Sequence, residues 1–176
     1  MTRKHPCTRN RRPFRRLFTF GLGLAVLAFI ASPARAGTAT NTFTATITVQ
    51  ASCLVVSTNT LNFGTQSTLA ANTDVSATFA VQCTNTTPYN VGLNAGTTAG
   101  GTVATRLMTS GSATISYRMY SNAARTTNWG NTVGTDTVSG SGNGAQQTLT
   151  VYGRVPVQTT PAPATYNDTV TITVTY

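Results

Sequence analysis

The feature that most constrains this chain is a strict alternation of apolar and polar side chains near its N-terminus. Over residues 42–51 every second position is apolar, and the positions between them are threonine or, once, glutamine. The apolar members are Phe43, Ala45, Ile47, Val49 and Ala51. Because successive side chains of a β-strand point to opposite faces, this period of two predicts a strand with one apolar face. At about 3.3 Å per residue, such a strand would span a whole domain.

The same alternation recurs along the rest of the chain in shorter pieces. It predicts strands at 75–83, 89–95, 115–119, 149–155 and 170–176. Clusters of Gly, Asn, Ser and Thr separate these pieces, and prolines between 156 and 163 predict a loop before the last strand. The glycine-rich stretch 140–144 lacks the Lys-Ser/Thr of a phosphate-binding loop, so we interpret it as a hairpin tip. Short strands joined by turns predict a single all-β sandwich domain.

Composition supports this fold class and argues against others. Residues 37–176 contain 35 Thr, a quarter of their number, and no Lys, Glu or His. A helical protein would rely on Leu, Glu, Lys and Arg, whereas strands accept threonine readily. The formal charge of +9 is concentrated in residues 1–36; the remainder holds four arginines against three aspartates, a net charge of +1. Helical bundles, α/β enzymes and nucleic-acid binders are therefore disfavoured.

Residues 1–36 have the parts of an export signal. A basic stretch precedes a 15-residue apolar run at 17–31, and small residues follow at Ala34 and Ala36. Because a membrane-spanning helix needs about 20 apolar residues, the pattern favours a signal peptide cleaved after Ala36 over a permanent anchor. An arginine pair within the basic stretch also resembles a twin-arginine signal, so the Sec and twin-arginine routes both stay open. Either route takes the protein out of the cytosol.

Two cysteines remain after such a cleavage, Cys53 and Cys83. An even pair in an oxidising compartment predicts a disulfide. The bridge would close a 30-residue loop, which is worth roughly 3.5 kcal/mol on the chain-entropy account. A metal site or a nucleophilic thiol is the alternative. Since neither cysteine has a His partner and no C-x-x-C spacing occurs, the disulfide is favoured.

No combination of residues with catalytic chemistry is evident. Asp74, Asp136 and Asp168 are the only side-chain carboxylates after residue 36, and no His or Lys there can act as a base. Each Asp follows Thr or Asn near the start of a strand, where capping a turn explains it. We therefore predict no enzyme, and no catalytic, cofactor-binding or metal-binding residues.

Both ends of the mature chain are candidate edge strands. The first alternating segment precedes Cys53, and the last ends at the final residue, Tyr176. Edge strands with one apolar face pair readily with other chains. Pairing inside their own domain is the other possibility, and the pattern alone does not choose between the two.

Several longer motifs stand in order along the mature chain. They are Phe43-Thr-Ala-Thr-Ile-Thr-Val-Gln-Ala-Ser-Cys53, Leu61-Asn-Phe-Gly64, Val81-Gln-Cys83-Thr-Asn, Tyr89-Asn-Val-Gly-Leu-Asn-Ala-Gly96, Tyr117-Arg-Met-Tyr-Ser121, Thr127-Asn-Trp-Gly-Asn131, Thr148-Leu-Thr-Val-Tyr-Gly-Arg-Val-Pro156 and Tyr166-Asn-Asp-Thr-Val-Thr-Ile-Thr-Val-Thr-Tyr176. Together they resemble the spore coat protein U domain family, over nearly the whole mature chain. That family includes the Csu-type subunits of archaic chaperone–usher pili.

The resemblance implies an incomplete immunoglobulin-like β-sandwich at 52–176, preceded by an N-terminal donor strand extension at 37–51. A periplasmic chaperone would lend the missing strand first, and the extension of the next subunit would then replace it. The donor residues would be Phe43, Ala45, Ile47 and Val49. The groove would be flanked by the C-terminal strand, through Val170, Ile172, Val174 and Tyr176. The disulfide would join the first strand of the domain to a neighbouring strand.

The function implied is that of a structural subunit of a secreted surface fibre, a pilus or a coat, in adhesion or biofilm formation. Its partners would be identical or related subunits head-to-tail, the chaperone and an outer-membrane usher, with no nucleic acid and no cofactor. A coat protein whose N-terminal strand completes its own sandwich is one alternative. A tip adhesin is another, with Trp129, Tyr117 and Tyr120 as a sugar-stacking platform, although core packing is commoner for such aromatics. Tip subunits of this family usually carry a second domain, for which 140 residues leave no room.

Overall fold

The structure, a computed structural model, describes residues 34–176, so the predicted signal peptide lies outside it except for its last three residues. Eight strands follow one another along the described residues: β1 Cys53–Thr58, β2 Thr73–Cys83, β3 Pro88–Leu93, β4 Arg106–Ser110, β5 Ala113–Tyr120, β6 Val138–Ser141, β7 Gln146–Val155 and β8 Ile172–Thr175. None of residues 34–176 belongs to a helix long and apolar enough to cross a membrane.

The strands form two antiparallel sheets, which confirms the predicted all-β class. One sheet has five strands in the order β1-β2-β7-β5-β4, and the other has three in the order β6-β3-β8. The longest ladder joins β2 to β7, from the pair Thr73 and Val155 to the pair Gln82 and Gln146. Buried side chains from both sheets meet in one hydrophobic core.

The core is built from the inward-facing positions of the period-two pattern. Phe79 and Val81 of β2, Val91 of β3 and Tyr117 of β5 are almost fully buried. Trp129 packs beside them, with its ring centroid 5.6 Å from that of Phe79. Its indole N–H donates to the carbonyl of Val91 at 2.8 Å, so the buried donor is satisfied. Burial of each large side chain contributes about 1.5–3 kcal/mol.

A disulfide joins Cys53 and Cys83, which stand opposite each other in the ladder between β1 and β2. This confirms the predicted bridge and its link between the first strand and a neighbour. The β1–β2 register is interrupted between Val55 and Ser57, where one residue is left without a partner. Because β1 is short, interrupted and at the edge of its sheet, the covalent bond secures the end of the strand that precedes the irregularity.

Arg106 is fully buried at the start of β4 and forms no ion pair with any carboxylate of residues 34–176. Its guanidinium donates to the carbonyl oxygens of Asn94, Val103, Leu93 and Trp129, at distances of 2.7 to 2.9 Å. Burial lowers the pKa of this guanidinium from its ordinary value. The side chain therefore holds together the ends of segments from both sheets through four backbone acceptors.

The predicted strand at 42–51 is not formed within this chain, since residues 34–52 belong to no strand and are exposed. Alternation describes which way side chains would point, whereas a strand also needs a partner for its backbone groups. No strand of the described residues pairs with this segment. Its role as a donor strand stays a prediction.

Besides residues 42–51, three strands and one connection differ from what the alternation predicts. β1 lies outside every predicted segment, and only the family resemblance implies a first strand of the domain there. β4 was not predicted because its inward position at Arg106 is charged, and β6 because its four residues are mostly small and polar. The expected hairpin tip at 140–144 is wrong: this stretch crosses from β6 in one sheet to β7 in the other. Its glycines permit the crossing, since a Cβ at Gly142 would lie 2.8 Å from Cys83 Cβ and would overlap the Thr84 carbonyl.

We expect Arg106→Met to lower the free energy of unfolding by about 3–5 kcal/mol, because it leaves several buried carbonyls without a donor. Arg118→Met is the matched control, since Arg118 is exposed on β5, and its change should stay within about 0.5 kcal/mol. Denaturant unfolding with the disulfide intact measures both variants. Equal effects of the two would contradict the role given to Arg106.

Candidate functional site

Among the residues that the structure describes, the C-terminal strand β8 has a partner strand on one side only. It pairs with β3, from Asn90 opposite Thr175 to Leu93 opposite Ile172, and it lies at the edge of its sheet. Just before β8, Thr171 accepts from the amide of Asn94 at 3.1 Å and donates to the Asn94 side chain at 2.8 Å. Because backbone groups alternate in direction along an antiparallel strand, those of Ile172 and its even-numbered neighbours point to the free edge.

A second wall faces β8, formed by the chain that follows β1. Leu61 and Phe63 of this segment pack on β7 at Gly153, where an added Cβ would lie 2.7 Å from Leu61 and 2.9 Å from Phe63. Phe63 also meets Tyr117 edge-on, with ring centroids 6.1 Å apart. Only glycine at 153 lets these two side chains approach the sheet so closely.

Two adjoining cavities of about 350 and 680 Å³ lie beside this second wall, and the smaller one extends across to Val170 and Ile172. Core side chains of both sheets line the smaller one, including Phe79, Leu93, Met119 and Val151. The larger one reaches towards Leu69 and the proline-containing loop before β8. Six residues line both cavities, so the two form one groove, which we call the β8 groove: Thr60, Leu61, Phe63, Met108, Tyr166 and Asn167.

A polar cluster around Asp168 fixes the wall of the β8 groove where the chain approaches β8. The carboxylate accepts from the Tyr117 hydroxyl at 2.7 Å and from the amides of Thr97 and Thr98 at 2.8 and 3.2 Å. An added Cβ at Gly96 would overlap the carboxylate, so this position requires glycine. The cluster ties the loop after β3 to the segment that leads into β8.

Burial and hydrogen bonds together set the protonation states of Asp168 and Tyr117 in this cluster. Burial raises the pKa of Asp168, but hydrogen bonds from Tyr117 and from the amides of Thr97, Thr169 and Thr98 outweigh it and hold the pKa below the ordinary 3.8. Burial, and then the neighbouring carboxylate, raises the pKa of the Tyr117 phenol. The carboxylate is therefore charged, and the phenol neutral, under ordinary conditions.

The structure brings part of the predicted C-terminal set to the β8 groove. Val170 and Ile172 line it. Val174 packs against the core, and Tyr176 is 59% exposed. The alternation does not predict the opposite wall at Leu61; the signal that could have found it is the Leu-Asn-Phe-Gly motif at 61–64, which is part of the family resemblance.

The predicted donor residues are exposed apolar side chains. Phe43 is 92% exposed, Ile47 87% and Val49 74%, and Ala45 is exposed as well. Exposed large apolar residues at alternate positions are unusual in a soluble domain and mark a surface that another molecule covers.

The other candidates singled out in the sequence have structural roles. Asp74 forms a two-point ion pair with Arg154 at 2.7 Å, and Asp136 accepts from the amide of Thr132 at 2.7 Å. Within residues 34–176 no three His, Cys, Asp or Glu side chains are grouped so as to hold a metal ion. Tyr117, Tyr120 and Trp129 are all buried, so they cannot serve as a sugar-stacking platform.

Comparison with known proteins identifies relatives. The Spore Coat Protein U domain matches residues 39–173. Protein U of Myxococcus xanthus is 35% identical over 160 residues, which cover 82% of this chain and 89% of that protein. A chain of the solved CsuC–CsuE chaperone–tip adhesion subunit pre-assembly complex, from the archaic chaperone–usher Csu pili of Acinetobacter baumannii, is similar with a TM-score of 0.53 and 29% identity. That match covers 73% of this chain and 40% of the solved chain.

We expect the free energy of unfolding to fall as the pH drops from about 5 to 2, because Asp168 has a lower pKa folded than unfolded. Its stabilisation is present above the unfolded pKa and is lost as the pH falls through the folded one. Tyr117→Phe removes the first hydrogen-bond donor without changing the ring, so it should flatten this pH dependence.

Asp74 also has a lowered pKa, owing first to its hydrogen bond with Arg154, so Asp74→Asn serves to measure its separate share. Thermal unfolding followed at several pH values gives the curves. If Tyr117→Phe and the wild type lost stability in parallel, the hydrogen bond to Asp168 would have no part in the effect.

Proposed function

Because the chain belongs to the spore coat protein U domain family, we propose that it is a structural subunit of a surface fibre that assembles by strand donation between copies. Members of this family are structural proteins without a catalytic role. The observation that carries the proposal is the β8 groove: an apolar floor beside a strand with one free edge.

The β8 groove leaves an apolar floor and a backbone edge uncovered, and one inserted strand would cover both. Its floor contains core side chains such as Phe79 and Met119, and apolar surface of this kind favours burial. The free edge of β8 offers backbone donors and acceptors, which pair with an added strand as in other strand-addition complexes. A strand with apolar side chains at alternate positions covers the floor and pairs with the free edge. The domain alone is therefore an incomplete immunoglobulin-like sandwich, and the inserted strand completes it.

The occupant we propose is the donor strand of a second copy, residues 41–49 of its N-terminal extension at 37–51. Phe43, Ala45, Ile47 and Val49 lie on one face of such a strand, and threonines at the positions between them face solvent. Burial of the three larger side chains at about 1.5–3 kcal/mol each supplies roughly 5–9 kcal/mol. Since each copy donates at one end and accepts at the other, the contact is head-to-tail and propagates into a filament.

The same logic gives the domain organisation and the route to the surface. Residues 1–36 form the cleaved signal peptide, 37–51 the donor extension and 52–176 the accepting domain. An exposed groove and an unpaired edge invite aggregation, so a periplasmic chaperone covers the groove before assembly, and an outer-membrane usher exchanges it for the next subunit. The solved pre-assembly complex of the chaperone CsuC with CsuE supports the chaperone step for the present chain.

A coat protein that completes its own groove is the second candidate; the match to the Spore Coat Protein U domain favours the coat role. In that case Ile47 and Val49 would be buried in the chain to which they belong. Both are largely exposed in the structure, which favours donation to another copy. The buried Trp129 gives no support to a sugar-binding tip adhesin.

We expect Ile47→Asp to block donation and Thr46→Asp to be tolerated. Only the apolar face of a donor strand is buried, and burial of an unpaired carboxylate costs several kcal/mol, comparable to the whole apolar contribution. Ile47→Asp subunits keep their own groove, so they accept a wild-type donor but cannot donate. Small amounts mixed with wild type should therefore shorten fibres measured by electron microscopy, whereas Thr46→Asp should not.

For the self-completing alternative, mixing should leave fibres unchanged, and Ile47→Asp should instead lower the melting temperature of the isolated monomer. Equal tolerance of Asp at positions 46 and 47 would contradict both versions, since each needs a buried face on this strand.

Deletion of residues 37–50 should give a subunit that its chaperone still binds but that cannot occupy the groove of another copy. The deletion leaves Cys53, β1 and the β8 groove intact, so the accepting function is retained. Co-purification with the chaperone and fibre length by electron microscopy measure the two properties separately. Fibres of normal length from this variant would show that the extension is not the donor.

A further inference from the structure

Thr84 holds the chain where it leads into β1. The backbone amide of Thr84 donates to the carbonyl of Ser52 at 2.9 Å, which extends the β1–β2 ladder by one pair beyond the disulfide. Its hydroxyl accepts from the Ser52 amide at 3.1 Å and shares its proton between the carbonyls of Gln50 at 3.2 Å and Ser52 at 3.3 Å. The Thr84 side chain thus binds two residues, Gln50 and Ser52, of the segment that leads into β1.

The end of β2, next to Thr84, is itself held in place from two sides. Cys83, next to Thr84, is tied to Cys53 by the disulfide, and its carbonyl accepts from the amide of Gly144 at 3.0 Å. Gly142 of the crossover between the sheets lies against the Thr84 carbonyl, where no Cβ would fit. The end of β2 is therefore held by a covalent bond on one side and by the crossover on the other.

Gln50 is the N-terminal limit of the contacts that Thr84 makes with this segment. Val49 and Ile47 are 74% and 87% exposed, and residues 46–49 take part in no hydrogen bond to the described domain. Hence the last fixed point of the chain before β1 is the pair of contacts from Thr84 to Gln50 and Ser52.

We propose that Thr84 is a positioning residue that sets the direction in which residues 50–52 leave the domain, and thereby the angle and stiffness of the joint between successive subunits. This proposal rests on the proposed function, because only in a fibre does the joint connect two folded domains. Residues 41–49 are held in the neighbour's groove, and Cys53 is held in its own domain. The filament bends in the short segment between these two anchors. Because Thr84 binds Gln50 and Ser52 in this segment, it reduces the number of residues that can move freely.

Thr84→Val tests the proposal, since valine keeps the shape of the side chain and removes the hydroxyl. The Ser52 amide then has no acceptor, so its hydrogen exchange in the purified chain should accelerate roughly two- to tenfold, the factor expected for one hydrogen bond. Amides of the β2–β7 ladder should exchange at wild-type rates, which shows that the domain is folded. Fibres of this variant should have a shorter persistence length than wild-type fibres in electron micrographs.

Two controls separate the hydroxyl from the substitution as such. Thr84→Ser keeps the hydroxyl and should restore both the slow exchange and the stiffness. Thr148→Val makes the same change at an exposed position of β7 whose side chain has no hydrogen bond among residues 34–176, and it should resemble wild type in both measurements.

The proposal is overturned if Ser52 exchanges at the wild-type rate in Thr84→Val, or if exchange accelerates while the persistence length stays at the wild-type value. Failure of the proposed function looks different. Wild-type chain would then form no fibres at all, and the exchange rate of Ser52 in the unassembled chain would still decide whether Thr84 holds residues 50–52.

Discussion

The rest of this structure depends on one strand, β8. Its side chains belong to the core, but, among the described residues, its backbone is hydrogen-bonded to a neighbouring strand on one side only. β8 contributes Ile172 and Val174 to the interior, so it cannot move away from the domain without exposing them. Its other edge has no partner strand within residues 34–176, and the space beside it opens onto the core. Everything proposed for this protein follows from supplying that edge with a strand.

Several polar contacts and one covalent bond hold other parts of the domain together around this opening. Arg106 gathers four carbonyls at the ends of segments from both sheets, and Trp129 is pinned to Val91 through its indole N–H. Asp168 holds the approach to β8 against Tyr117, while the disulfide holds β1 to β2. Arg106 and Asp168, two of the seven charged side chains after residue 36, both form such contacts.

Prediction from the sequence succeeded where the signal is local. The alternation in 75–83, 115–119 and 149–155 matches β2, β5 and β7, because inward and outward positions follow directly from the pleat of a strand. It failed at β4, where buried Arg106 looks like a surface residue. It failed again at 140–144, where glycines that serve close contact with Tyr89 and Thr84 resemble the glycines of a hairpin turn.

By itself, the sequence determined the fold class, the disulfide between Cys53 and Cys83 and the alternation of apolar residues in 42–51, since each depends on residue type and on spacing along the chain. Only the tertiary structure decided which strands are neighbours, and therefore that Leu61 faces Ile172 across a groove and that Thr84 grips Gln50. The physical reason is that these contacts join residues far apart in the chain. A hydroxyl, a carbonyl or a strand edge carries no mark of its partner until the sheets bring the two together.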